Sequence, residues 1–147
     1  MTVPKALKSK YKFVQPAFRA YKPKTEELIY CAEGALIKTT IAFAPEGRWS
    51  IHLHSDPKVI LANYEECILM RGSGQPDSNG LEIYEGDIVQ DLSTFPLGLG
   101  CGDYVTAAII YKSGLFYEDY FKQPIYFYDN LEVVGDVFRD EYLLEES

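Results

Sequence analysis

Residues 75–90 read QPDSNGLEIYEGDIVQ, and this stretch decides the fold. The cluster QPDSNG ends in Asn79-Gly80, a pair that accepts the positive φ of a tight turn. A short apolar run, CILMR, precedes it at residues 67–71, and LEIYEGDIVQ resumes a strand pattern after it at 81–90. The two flanks are expected to pair as antiparallel strands, joined by a loop slightly longer than a tight hairpin. Gly86 interrupts the second flank, which implies a bulge or a sharp bend.

Working outward, residues 17–30 read as two short strands around a turn that contains Pro23. Residues 35–43, ALIKTTIAF, are β-branched and strand-like, and the segment 45–47 ends them. In WSIHLH, residues 49–54, Trp49, Ile51 and Leu53 face one way while Ser50, His52 and His54 face the other. Residues 56–64 fit either one helical turn, with Asp56 as N-cap and Pro57 at N1, or a further strand. Residues 91–103 are Gly-rich and read as a loop, and 104–111, YVTAAIIY, as a core strand. Residues 115–121 and 124–128 supply more aromatic strand material. Residues 131–138, LEVVGDVF, form the last strand, bent at Gly135. The tail is expected to make a helical turn with Leu143 and Leu144 tucked inward.

These signals add up to a mainly β fold, with a β-rich α+β arrangement as the alternative. Small, partly open, strongly bent SH3-like barrels fit the closely spaced turns. Aromatics at 14%, mostly Tyr and Phe, point the same way. A chain of 147 residues buries enough surface to fold without a disulfide or a metal. Residues 1–15 read as a basic arm and 16–147 as one domain, in which two β units would meet near 55–66.

The charge is unevenly placed. Residues 1–24 hold Lys5, Lys8, Lys10, Lys12, Arg19, Lys22 and Lys24 with no acid, so they carry +7 in a chain whose net charge is −8. An arm bearing Lys5, Lys8, Lys10, Tyr11, Lys12 and Phe13 has both charge and apolar groups to offer a partner. Residues 116–147 carry nine acids against Lys122 and Arg139, which matches the arm in sign.

Candidate chemistry is sparse. His52 and His54 share a strand face and would need a third ligand to hold zinc. Three cysteines, Cys31, Cys67 and Cys101, are too far apart for a zinc knuckle and are read as free thiols of a reducing compartment. The run 98–102, GLGCG, leads into a strand rather than a helix and lacks the Lys-Ser/Thr of a phosphate loop. Cys101 would need a base to act as a nucleophile, and Glu85, Asp87 and Asp103 would need to meet to act as an acid–base pair. Tyr117, Tyr120, Phe121, Tyr126, Phe127 and Tyr128 could stack bases, but acids interleave them where phosphate binding asks for Lys and Arg. A core or protein-interface role suits them better.

Three blocks carry a resemblance. Phe18-Arg19-Ala20-Tyr21 with Leu28-Ile29-Tyr30 is the first, residues 79–89 (NGLEIYEGDIV) the second, and residues 131–138 with Leu143-Leu144 the third. In this order they resemble the YopX family of phage and prophage proteins. Gly72-Ser73-Gly74-Gln75 and Lys22 depart from that family's pattern. The resemblance implies the β fold and no assigned activity. Its motif residues Tyr84, Glu85, Gly86, Asp87 and Gly135 also read structurally, as the makings of strands that must bend.

The expectation is therefore a phage or prophage accessory protein that acts without catalysis by binding protein. Its partners would be an unknown host or phage protein and itself, as a homo-oligomer. The alternative is nucleic-acid binding through the basic arm and a small barrel. No cofactor, metal or catalytic residue is named, and an enzymatic reading ranks third. No run approaches the ~20 apolar residues of a membrane span. The N-terminus lacks the apolar region of a signal peptide, so the cytoplasm of the host cell is the expected location.

Overall fold

A computed structural model describes residues 17–91 and 105–145. The arm residues Lys5, Lys8, Lys10, Tyr11, Lys12 and Phe13, the glycine run 98–102 with Cys101, and Asp103 lie outside the described residues. The fold is mainly β with a strongly curled half-barrel sheet, as expected.

Strands β1 (Phe18–Lys22) and β2 (Glu27–Cys31) form the expected hairpin, in which Phe18 faces Cys31 and Lys22 faces Glu27. β1 also pairs with β6 (Ile68–Pro76), and β6 with β7 (Glu82–Tyr84), giving the sheet order β2-β1-β6-β7. Strands β3 (Thr39–Phe43), β4 (Trp49–Leu53) and β5 (Ile60–Asn63) form a second antiparallel sheet. Of the two readings open for residues 56–64, the strand is the one adopted. The predicted strand 35–43 begins only at Thr39, because Gly34 turns the chain at φ 82° first. Trp49 and Ile51 are buried, as their alternation requires. Together with Ala20, Cys31, Ala62 and Cys67 they fill a core between these two sheets.

The third sheet has the order β10-β9-β8-β11, from β8 (Asp87–Asp91), β9 (Val105–Lys112), β10 (Leu115–Glu118) and β11 (Leu131–Asp136). Its core joins Ile83, Val89, Ile109, Ile125, Tyr128 and Leu131. The deciding stretch 81–90 is thus two strands in two sheets. Gly86, at φ 86°, breaks it and passes the chain from the first sheet to the third. β11 carries a register shift between Val133 and Gly135, the bend foreseen there. The tail forms a single turn, α1 (Tyr142–Glu145), with Leu143 and Leu144 half-buried.

One strand expectation fails. Residues 124–128 form a 3-10 turn over Ile125–Phe127, touching β10 only through a bridge from Pro124 to Tyr117. Pro124 brings no N–H to a ladder, and the carboxylate of Glu118 claims the amides of Phe121 and Gln123 before it.

No helix of the described residues is long and apolar enough to cross a membrane.

Candidate functional site

The motif residues meet where the first and third sheets join. Arg19 from β1 and Asp87 from β8 form an ion pair of 2.8 Å, with both side chains almost fully buried. The other Asp87 oxygen accepts the backbone N–H of Tyr84 at 2.7 Å. The Arg19 guanidinium lies over the Tyr84 ring at 4.8 Å and donates to the carbonyl of Glu85 at 3.4 Å. Burial raises the Asp87 carboxyl above its ordinary range, against the pull of Arg19 and of the Tyr84 amide. Burial likewise pushes the Tyr84 hydroxyl well up.

Backbone geometry closes this node. Gly86 donates to Ile109 at 2.8 Å and accepts from Val137 at 2.8 Å, so it bridges β9 and the end of β11. A Cβ on Gly86 would stand 2.7 Å from the Met70 sulfur. Gly135 serves a different need from the bend: its own missing Cβ leaves room for Asp140, whose Oδ2, Cβ and Cγ would lie at 2.6–2.8 Å. Asp140 accepts the Asp136 amide at 3.0 Å, while Asp136 binds the Arg139 side chain at 2.6 and 2.7 Å. The side chain of Glu85 turns the other way, to the amide of Arg71 at 2.8 Å. Glu85 and Asp87 therefore serve different partners and form no carboxylate pair.

A surface feature stands out on the third sheet. Residues 119–128 form a loop that is organised by one carboxylate from inside. Glu118, 2% exposed, accepts the amides of Tyr120, Phe121 and Gln123 at 2.9–3.0 Å and the Tyr128 hydroxyl at 3.1 Å. Ile125 is buried and its carbonyl accepts from the Gln75 side chain at 3.2 Å, which pins the far end. Held this way, the loop leaves Tyr120 and Tyr126 60% exposed and Phe127 55% exposed. Tyr120 packs edge-on against Phe121, and Tyr126 is tilted against Phe127. Lys122, with φ 62°, pairs with Asp119.

Of the six aromatics singled out in sequence, Tyr128 is core and Tyr117 and Phe121 are half-buried. Burial first, then the Glu118 charge, pushes the Tyr128 hydroxyl well up. Glu118 itself escapes sequence reading, because one acid among 22 carries no local mark of burial. Arg19 escapes as well, since it reads as one more charge of the basic stretch 1–24.

His52 is engaged at both ring nitrogens, with the Ser50 hydroxyl at 2.7 Å and the Pro57 carbonyl at 2.7 Å. His54 is exposed. Among the described residues no group of three His, Cys, Asp or Glu could hold a metal ion. Cys31 and Cys67 are free and buried.

The family model described as YopX protein matches residues 17–145. The crystal structure of protein EF1440 from Enterococcus faecalis is similar at a TM-score of 0.54 and 21% identity, over 90% of this chain and 99% of that one. The X-ray structure of protein yopX from Bacillus subtilis is similar at a TM-score of 0.62 and 18% identity, over 87% of this chain and 95% of that one. At such identities the likeness is one of fold. No curated protein matches the sequence.

Proposed function

Because this chain belongs to the YopX family, we propose that it is a phage or prophage accessory protein that works in the host cytoplasm by binding protein through loop 119–128. One observation carries the reading: a buried carboxylate fixes the loop from within, and the aromatic side chains it fixes face solvent. A loop ordered before contact loses less entropy on binding. Tyr and Phe are enriched in protein interfaces and bring large apolar area on few rotatable bonds. The loop's cation, Lys122, is already paired with Asp119, and Asp129 follows at its end. That charge pattern suits a protein partner better than a phosphate backbone.

The partner we propose is a host or phage protein or a second copy of this chain. The acids of residues 116–147 offer a basic arm less charge than their number suggests. Glu118 and Asp136 are buried and bonded, and Asp119 is paired. Apolar contact therefore has to supply most of the affinity.

Affinity capture from host lysate and light scattering test the reading, each run on the full chain and on the Tyr126→Ala, Phe127→Ala variant. Capture of a defined protein, or self-association, that the variant loses while its melting temperature holds is the expected result. Equal behaviour of both chains removes the loop from the function. Gel shifts with labelled DNA and RNA that weaken steeply with salt would move the function to nucleic-acid binding through the basic arm.

A further inference from the structure

The solvent side of the β3-β4-β5 sheet carries a second constellation, distant in sequence from the aromatic loop. Ser50 and His52 sit two apart on β4 and so share a face. The Ser50 hydroxyl lies 2.7 Å from His52 Nε2, and His52 Nδ1 lies 2.7 Å from the Pro57 carbonyl. A carbonyl only accepts, so Nδ1 must carry the proton and donate it. In the neutral ring Nε2 is then the acceptor, and the Ser50 hydroxyl donates to it. This is the tautomer a general base needs beside a hydroxyl nucleophile.

The turn that aims the carbonyl is itself fixed. Val59 donates to the Asp56 carbonyl at 2.9 Å, and the Lys58 amide donates to the Asp56 side chain at 3.3 Å. Across the sheet Asn63 on β5 stands opposite Ser50. Directly paired residues of an antiparallel sheet hold their Cβ atoms about 4.5–5.5 Å apart on one face. The Asn63 side-chain oxygen accepts the amides of Glu65 and Glu66 at 3.0 and 3.1 Å. Its NH2 group is left as a donor without a partner among the described residues. Thr40 and Ala42 of β3 and Ile60 of β5 flank this face and are exposed.

We infer that Ser50 and His52 form a nucleophile–base pair, with the Asn63 NH2 as oxyanion donor, for the hydrolysis of small acyl esters. The Ser50 oxygen adds to the ester carbonyl carbon as its proton passes to His52 Nε2. The carbonyl oxygen takes the electron pair and the Asn63 NH2 stabilises it. On collapse the C–O bond to the alcohol breaks, and the alcohol leaves with the proton from His52. Water then adds to the acyl-serine and gives a proton to Nε2, and the acid departs as the proton returns to Ser50. The flank of small and apolar side chains fits a short acyl group.

The activity is independent of the protein-binding reading and is tested without a partner. The full chain is treated with a fluorophosphonate, in which the Ser50 oxygen displaces fluoride from phosphorus, and the adduct is located by peptide mass spectrometry. The expected adduct is on Ser50, forms in the folded chain and not in urea, and disappears in Ser50→Ala. His52→Gln is expected to slow it about 10²–10⁴-fold. Asn63→Asp keeps the acceptor for the Glu65 and Glu66 amides and removes only the NH2, and it is expected to slow the adduct about 10²–10³-fold, with both variants folded by circular dichroism. Hydrolysis of p-nitrophenyl acetate follows the same order. No adduct on Ser50, or one that forms as fast in His52→Gln or in urea, overturns the inference.

Discussion

Arg19 and Asp87 lie 2.8 Å apart, one on β1 of the first sheet and the other on β8 of the third, with 4% and 2% of their side chains exposed. The contact joins the two sheets beside Gly86, and the chain passes between the same sheets at that glycine.

Removing one partner of this pair strands the other charge. Arg19→Met is expected to cost about 3–5 kcal/mol in urea unfolding, the usual penalty for an uncompensated buried charge. The double variant Arg19→Met, Asp87→Asn carries neither charge and is expected to recover part of that loss. A single-variant cost under about 1 kcal/mol, typical of a pair in water, would show that the pair is solvated.

Gly86→Ala places a methyl group at a positive φ and against the Met70 sulfur. Strain of this kind costs about 1–3 kcal/mol. Gly80→Ala is the control, because Gly80 has φ 84° and nothing within 4 Å of its Cβ position. The Gly86 variant should unfold at lower urea than the Gly80 variant. Equal midpoints would show that backbone strain alone, without Met70, sets the cost.

Glu118→Gln should loosen the aromatic loop while the sheets stay intact. A neutral amide replaces a carboxylate that accepts from three backbone amides and a hydroxyl. The expected cost is about 1–3 kcal/mol, since charged hydrogen bonds to buried groups are lost. Hydrogen exchange should quicken at Tyr120, Phe121 and Gln123 and stay unchanged in β8 and β9. Unchanged protection at those three amides would mean that the loop is held by Ile125 and Gln75 instead.

The β class, the bend at Gly86 and the bent last strand were legible because they follow from local rules. Asn79-Gly80 marks a turn, glycine in a strand marks an irregularity, and alternation in residues 49–53 marks a buried face. What alternation could not show is that Ile83 and Ile88, five residues apart, belong to different sheets. The protein-interface reading of residues 117–128 drew on their composition. The sorting of core Tyr128 from exposed Tyr126 was not available, because it depends on Glu118 gathering amides on one side of the loop. The Ser50–His52 contact was closer to reach. The i, i+2 spacing on a strand was visible, and only the carbonyl of Pro57, brought in by a turn, was missing.

The last prediction concerns alkaline pH. Tyr84 and Tyr128 are each about 4% exposed, and burial raises both hydroxyls above the tyrosine range. Free tyrosine ionises near pH ~10. Above that value the unfolded chain releases these protons while the folded chain keeps them. Stability from the two groups is therefore fully present below pH ~10 and is lost as pH rises beyond it. Absorbance at 295 nm should show a late-ionising fraction of the twelve tyrosines that includes Tyr84 and Tyr128, together with the loss of the β circular-dichroism signal. In urea all twelve should titrate as one group. Tyr128→Phe keeps the ring but removes one of the late hydroxyls and its bond to Glu118, so the late fraction should shrink by one tyrosine. Smooth ionisation of every tyrosine near pH ~10, with circular dichroism unchanged, would show that neither hydroxyl is shielded in the folded chain.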